Sequence, residues 1–348
     1  MSKNAREQAV LGAVRERREK VNAAIDEDLP AQRPERLYEA ARYLLDAGGK
    51  RLRPAVLLLT AEALADVEPG STGYREFPDL TGGSVDVMSA AVSIEVIQSF
   101  TLIHDDIMDD DDLRRGVPAV HREYDTETAI LAGDTLYSKA FEIMLQTGAP
   151  PERGMGAMQT LAETCTHICE GQALDVDFET RTDVLPDEYM EMVELKTAVL
   201  YAAAASIPAV LLGADDDTVE ALYNYGVKAG QAFQIHDDVL DLTVPSDQLG
   251  KQRGSDLVEG KKTVISLHAA EHGVDVEALL DADDPKAVTD DDIETAVEQL
   301  REVGSIEYAR EVADDLVAEA KAHLDVLPDN EAHHRLEQVA DYLVERGY

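Results

Sequence analysis

The heptad Ile-His-Asp-Asp-(Ile/Val)-(Met/Leu)-Asp occurs twice in this chain, as Ile103-His104-Asp105-Asp106-Ile107-Met108-Asp109 and as Ile235-His236-Asp237-Asp238-Val239-Leu240-Asp241. Each copy has a phenylalanine shortly upstream, Phe100 and Phe233. On an α-helix the first and last Asp of D-D-x-x-D stand at i and i+4 and share a face, with Cβ atoms about 5–6 Å apart. The apolar residues between them then have a core to face. A solvated acidic surface needs no such frame. Acidic residues are common here, 71 of 348, and near-misses occur at Asp216-Asp217-Thr218-Val219-Glu220 and at Asp291-Asp292. The shared apolar frame, not the acid count, sets the two heptads apart.

The remainder of the chain reads as helical ground for them. There is no Trp, only 5% of residues are aromatic, and Ala, Leu, Glu and Arg fill the periodic segments. Helical periodicity predicts elements near 4–27, 35–47, 54–66, 84–109, 125–146, 152–178, 186–213, 216–242, 262–272, 289–303, 305–325 and 330–346. Pro30 and Pro34 break the first, Gly48-Gly49 stop the second, and Pro54 opens the third at a permitted first-turn position. Residues 67–83 read as a loop or insertion. No strand-like alternation persists, no linker divides the chain, and the internal similarity is too short for a solenoid. The expectation is an all-α, single-domain bundle of roughly ten or more helices over residues 1–348. Its motif-bearing core spans about 35–270, and C-terminal helices occupy 285–348.

The formal net charge of -40 argues against nucleic-acid and anionic-membrane partners, which require cationic surface. An acidic, lysine-poor surface suits high salt, where screening removes most self-repulsion. A hydrophobic content of 45% opposes disorder. The charged, helical start has no apolar signal core, so a cytoplasmic location is expected. Cys165 and Cys169 lie one turn apart and read as buried, reduced thiols rather than a zinc site. The uncharged stretch Thr197–Ala214 approaches membrane-spanning length, but it is Ala-rich, holds Pro208 and stands alone. It reads as a buried core helix, so no transmembrane segment is expected.

A carboxylate pair of this kind suits a hard cation. Mg²⁺ takes one or two carboxylates and fills its octahedron with water and phosphate oxygens, so two clusters could hold a diphosphate through several Mg²⁺ ions. Cationic residues needed for that task are present. Only eleven lysines occur, yet Lys50, Lys196, Lys251, Lys261 and Lys262 all fall in distinctive segments. Arg114-Arg115-Gly116 follows the first cluster, and Lys50-Arg51-Leu52-Arg53 follows the Gly pair. Arg suits phosphate by its bidentate fork and Lys as a point charge. Jointly these residues point to two diphosphate sites. Gly254 to Thr263 fails the P-loop pattern in spacing and lacks a preceding strand, which excludes a nucleotide-hydrolase reading. His104 and His236 read as packing or orienting residues, since an oxygen-rich cluster suits Mg²⁺ without them.

With these motifs in hand, the chain resembles the trans-isoprenyl diphosphate synthases (polyprenyl synthetases), above all the archaeal geranylgeranyl type. Gly48-Gly49-Lys50-Arg51-Leu52-Arg53-Pro54 matches the first basic motif, and Leu102 to Asp109 with Leu113-Arg114-Arg115-Gly116 matches the first aspartate-rich motif. Gly133-Asp134, Gly171-Gln172, Lys196-Thr197 and Phe233-Gln234 match the intervening motifs. Asp237 to Asp241, Gly250-Lys251, Gly254-Ser255-Asp256 and Gly260-Lys261-Lys262-Thr263 match the last ones. The resemblance implies an isoprenoid-synthase bundle around a central cavity, and usually a homodimer.

It implies, too, a Mg²⁺-dependent prenyltransferase joining isopentenyl diphosphate to allylic diphosphates. The implied metal ligands are Asp105, Asp106, Asp109, Asp237, Asp238 and Asp241, with Asp105, Asp109 and Asp237 holding the Mg²⁺ on the allylic diphosphate. Arg114, Lys196 and Lys261 would assist the allylic diphosphate, with Thr197, Gln234 and Lys251 nearby. Lys50, Arg53, Gln98 and Arg115 would hold isopentenyl diphosphate. Many family members have His where this chain has Gln98. Thr101 and Phe100, four and five residues before Asp105, would gauge the product tail. The pattern resembles makers of the C20 product, geranylgeranyl diphosphate, with C15 farnesyl and C25 geranylfarnesyl products as alternatives. A non-catalytic partner subunit is the rival reading, although no motif is lost. A class I terpene cyclase fits less well, because such enzymes usually lack the second D-D-x-x-D.

Overall fold

The helix that carries the first heptad is apolar nearly all round, and this decides where it lies. In the computed structural model it is α4, Val87–Met108, and every residue from Val87 to Ile97 is buried. A helix hydrophobic on all sides belongs inside a protein. Its small Ala90, Ala91, Ser89 and Ser93 let neighbours approach, and Ser93 donates to the Ala140 carbonyl at 2.9 Å. Asp86 caps its first turn by accepting from the Ser89 amide at 2.8 Å, an interaction typically worth about 1 kcal/mol.

The structure describes residues 3–245, 253–276, 278–280 and 288–345. Before α4 come α1 (Lys3–Asp28), α2 (Glu35–Asp46) and α3 (Leu52–Leu64). After it come α5 (Val120–Glu123), α6 (Thr126–Met144), α7 (Pro151–Phe178), α8 (Pro186–Val193), α9 (Val199–Leu212) and α10 (Asp216–Thr243). Further helices are Ser255–Val258, Val264–Glu271, Asp290–Glu302, Ser305–Ala322 and Glu331–Glu345. Pro54 sits inside the first turn of α3, where its missing N–H has no intrahelical partner to lose.

The fold is all-α. Among the described residues the only β structure is two antiparallel ladders of two-residue strands. One pairs β1 (Phe77–Pro78) with β2 (Ser84–Val85), and the other pairs β3 (Leu113–Arg114) with β4 (Val117–Pro118). The first ladder lies at the end of the 67–83 segment, which is not a bare loop. Tyr74 donates to buried Glu62 at 2.6 Å, and Arg75 reaches Asp28 and Asp86 at 2.9 and 3.1 Å. Glu62 also pairs with Arg17, buried on α1, so one carboxylate ties α1, α3 and this segment together.

Contacts cluster the chain into two units. The first comprises Met1–Cys165, Leu200–Gly226 and His323–Val339; the second comprises Thr166–Val199, Val227–Ala322 and Ala340–Tyr348. The boundaries fall within or at the ends of helices, not at a linker.

Two helical stretches, Val87–Met108 and Pro186–Leu212, are long and apolar enough to cross a membrane, but 72% and 78% of their apolar windows are buried within the protein. The uncharged stretch around Pro208 is therefore a core helix, with Ala202 to Ala205 fully covered. The cysteines differ from the expectation of two buried thiols: Cys165 is buried and Cys169 is exposed.

Within the first unit, α10 approaches α9 closely at Gly226. A Cβ there would stand 2.4 Å from the Ala202 Cα and 2.5 Å from its amide nitrogen. Backbone cannot yield as a flexible side chain can. Gly226→Ala is expected to destabilise the protein by about 3 kcal/mol, the upper range for overpacking. Thermal unfolding checks this; an unchanged melting temperature would show that α9 and α10 do not pack this tightly.

Candidate active site

The polar residues of α4 recur at helical spacing towards its C-terminal end. Gln98, Thr101, Asp105 and Asp109 follow one another at steps of three and four and so form one stripe. All four are partly exposed. Asp106, one residue beyond Asp105, turns inward and is 0% exposed. Its Oδ1 accepts from Arg114 Nε at 2.6 Å and lies 2.5 Å from Arg114 Nη2, while its buried Oδ2 has no hydrogen-bond partner among the described residues. Burial, opposed by Arg114, pushes the Asp106 carboxyl up to about 6. Arg114 also holds Asp111 at 2.8 Å.

Arg114 and Arg115 owe their positions to a hairpin that the sequence does not announce. Pairing of Leu113 with Pro118 and of Arg114 with Val117 leaves Arg115 and Gly116 as a two-residue loop. Both have positive φ, 55° and 77°, as a type I′ turn requires. For Arg115 the left-handed backbone costs about 1–2 kcal/mol. Its side chain offsets this by reaching back across the site. Nη1 donates to the Leu44 and Gly48 carbonyls, and Nη2 meets Glu95 at 3.3 Å.

The basic motif before α3 divides in function. Arg51 is buried, bonded to Asn22 at 2.9 Å, the Leu45 carbonyl at 2.7 Å and Glu95 at 2.5 Å. It belongs to the scaffold. Lys50 beside it is exposed, and the Arg53 guanidinium lies 4.2 Å from the Tyr201 ring centroid.

The tail-gauging pair also divides. At 100° per residue Thr101 lies about 40° from Asp105 around α4, while Phe100 lies about 140° away. Phe100 packs edge-on against His104 at 4.9 Å and against Tyr137 of α6 at 5.2 Å, and Tyr137 in turn meets Phe141. Phe100 thus stands higher on α4, on the flank that meets α6, while Thr101 stands near the face of Asp105. His104 is a packing residue too: its Nε2 is 3.2 Å from the Ile130 carbonyl, and it fills space that a Cβ on Gly133 would invade at 2.2 Å.

The second unit holds the second heptad at the end of α10. Asp238 is buried between Tyr189 and Gln234, accepting at 2.5 and 3.0 Å. Burial, and then the neighbouring Asp256 carboxylate, hold its carboxyl well above the usual range. Asp241 is buried and accepts from Ser255 Oγ at 2.9 Å and the Asp256 amide at 3.2 Å. Gly254-Ser255-Asp256 is thus the segment that Asp241 clasps. Asp237 stays partly exposed.

Lys196 and Thr197 stand on a π-helical turn, Glu194–Ala198, a distortion frequent at functional sites. Lys196 pairs with Asp175 at 2.5 Å, and Thr197 donates to Gln234 at 3.1 Å. Gly171 makes the turn possible, since a Cβ there would stand 2.2 Å from the Lys196 amide nitrogen. Lys261 pairs with Glu259 at 3.0 Å. Lys251 lies outside the described residues.

Glu95, Asp175 and Tyr189 escape a reading by motif, although Glu95 carries a signal: it is the one charge in the apolar run from Val87 to Ile103. Among the described residues no three His, Cys, Asp or Glu side chains converge to hold a metal ion by themselves. An oxygen-only donor set with few ligands per cluster fits a hard cation completed by substrate oxygens, and not a caged one.

A polyprenyl synthetase family model matches residues 34–300. A geranylfarnesyl diphosphate synthase of Natronomonas pharaonis is 71% identical over 97% of this chain and 98% of its own length. A geranylgeranyl diphosphate synthase of Methanosarcina mazei is 52% identical over the same shares. The solved structure of a geranylgeranyl pyrophosphate synthetase from Geoglobus acetivorans superposes with a TM-score of 0.85 at 44% identity, covering 96% of this chain and 99% of that one. Motifs, fold and relatives agree: the chain belongs to the polyprenyl synthetase family and is a prenyltransferase.

Proposed function

We propose that this protein, acting as a single polyprenyl synthetase domain, condenses isopentenyl diphosphate head-to-tail with allylic diphosphates. The product is a short-chain all-trans prenyl diphosphate of C20 or C25. The observation that carries this reading is the stripe of Gln98, Thr101 and Asp105 on α4, continued by Asp109 at its C-cap and flanked by Arg114 and Arg115. It puts carboxylates for a cation, groups for a phosphate and a small residue for a tail on one helix face.

The partly exposed Asp105, Asp109 and Asp237 are the carboxylates assigned to hold Mg²⁺. Buried Asp106, Asp238 and Asp241 instead orient Arg114, Tyr189 and the Ser255 segment. When bound, Mg²⁺ supplies positive charge that stabilises the departing diphosphate. Arg114, Lys196 and Lys261 add fixed positive charge where negative charge develops as the allylic C1–O bond breaks. Lys50, Arg53, Gln98 and Arg115 hold the diphosphate of isopentenyl diphosphate, whose double bond attacks the allylic cation. The new C–C bond forms, and a proton is lost to the released diphosphate. Thr197 and Gln234, with Lys251 by its motif alone, are the further residues assigned to the diphosphate.

Thr101, close to the face of Asp105, and Phe100, one residue before it and against Tyr137, are the residues assigned to set the tail by their size. A hydroxyl-bearing side chain of that size leaves room for a C20 tail, and the 71% identity to a geranylfarnesyl diphosphate synthase raises C25 to an equal expectation. A homodimer is the proposed assembly. The exposed Ile130, Leu131, Tyr137 and Leu145, on α6 and the turn after it, are an apolar face it can cover. A cytoplasmic setting, where both diphosphates are water-soluble, completes the reading.

Asp105→Ala is expected to lower turnover on the order of 10³-fold, the scale of lost electrostatic stabilisation, with helical circular dichroism retained. Assayed with Mg²⁺ in high salt, near-wild-type turnover would remove Asp105 from the reaction. Thr101→Phe is expected to shorten the main product by at least one C5 unit. Chromatography of the dephosphorylated products reads this directly, and an unchanged distribution would free Thr101 of any gauging role.

A further inference from the structure

One buried carboxylate stands outside every motif and yet touches two of them. Glu95 lies on α4, three residues before Gln98, and is 3% exposed. Its Oε1 is 2.5 Å from Arg51 Nη1 and 3.3 Å from Arg115 Nη2. The two arginines come from different loops, one from the Gly48–Arg51 segment and one from the Arg115–Gly116 turn. Each is held on other sides as well: Arg51 by Asn22 and the Leu45 carbonyl, Arg115 by the Leu44 and Gly48 carbonyls.

A carboxylate shared by two guanidiniums leaves the node with an excess positive charge. Such charge, drawn out of water, favours an anionic ligand beside it. The backbone around the node is unusual too, with φ of 53° at Arg51 and 55° at Arg115. Left-handed non-glycine residues persist only where surrounding contacts over-determine them, and Glu95 is the contact the two have in common.

We propose that Glu95 is a positioning residue for the homoallylic substrate: it fixes Arg51 and Arg115 so that Lys50 and Arg115 present one pre-formed diphosphate-binding surface. The proposal rests on the assignment of Lys50 and Arg115 to isopentenyl diphosphate. Glu95 itself does not touch the substrate. It keeps two strained loops in register, so its loss acts on the binding of one substrate and not on the departure of the other. Displacements near 1 Å in such a surface can change rates by up to about 100-fold.

The test is steady-state kinetics of the full-length protein with each substrate varied separately. Glu95→Gln is expected to raise KM for isopentenyl diphosphate on the order of tenfold. KM for the allylic diphosphate, and kcat at saturating isopentenyl diphosphate, should stay within about twofold. A purely structural Glu95 would lower the melting temperature and the active fraction, hence kcat, with neither KM moved; that result overturns the proposal. Because Glu95→Gln leaves the buried Arg51 and the half-buried Arg115 short of a partner and can fail to fold, Asn22→Ala serves as the second variant. It loosens only Arg51 and should give a smaller shift of the same kind; equal shifts in both KM values, or none, also overturn the proposal. Arg115→Lys separates the two layers. If it leaves KM for isopentenyl diphosphate unchanged, the substrate assignment fails and the proposal with it. If it raises that KM while Glu95→Gln does not, the assignment stands and the role of Glu95 falls.

Discussion

Carboxylates at the C-terminal end of a helix are electrostatically misplaced. That end carries about half a negative charge, and an acidic group there costs about 0.3–1 kcal/mol where a basic one would gain it. This chain puts acid clusters near the ends of both α4 and α10, with several carboxylates in each. Much of the surrounding architecture follows from that choice. On α4 the hairpin after Asp112 returns Arg114 to Asp106. On α10 burial keeps the Asp238 carboxyl well above its usual range, Tyr189 and Gln234 bond to it, and the Ser255 segment folds onto Asp241. In each cluster the inner acids are committed to the protein. The partly exposed Asp105, Asp109 and Asp237 remain where a cation can reach them. A local rule broken twice, in the same way, marks function more firmly than any single motif.

The glycines of the motifs divide by physical cause. Gly133 and Gly171 sit in helices, where glycine is a poor residue, and both are there for space. A side chain at either would collide with His104 or with the backbone of Lys196 at 2.2 Å. Gly116 is there for its backbone, as the second residue of a type I′ turn. In each case the glycine acts through a neighbour: His104 packs, Lys196 gains its π-turn, Arg114 and Arg115 are aimed.

This separation explains what could be read from the residues and what could not. Helices announced by periodicity lie within a few residues of their expected bounds, because an amphipathic or wholly apolar stripe needs nothing distant to define it. The Leu113–Pro118 hairpin carries only two paired positions per strand, too few for alternation to show. Spacing puts the first and last Asp of each heptad on one face but gives no depth for any of the six acids. Three of them are buried and engaged by Arg114, Tyr189 and Ser255, contacts that spacing along a single helix does not carry. Counting back from Asp105 gives the height of Phe100 along α4, and only the angle around the axis shows that its ring faces Tyr137. Glu95 was visible as a lone charge in an apolar run, but its two partners come from loops 44 and 20 residues away.

The overall charge raises an apparent conflict, since a protein of net charge -40 is assigned substrates that are themselves polyanions. Screening resolves it. The Debye length falls from about 8 Å at physiological ionic strength to about 3 Å at 1 M salt. In salt of that strength a substrate feels only the charges it touches, so the acidic surface no longer repels it. The same screening removes long-range steering, which leaves binding to direct, partly desolvated contacts. Placement of the cations agrees with this division. Arg51 is buried and Arg114 and Arg115 are partly so, where salt screens them less, while most acids lie outside where screening is strongest. A surface tuned to salt and partly sheltered cations tuned to phosphate can coexist because the two act over different distances.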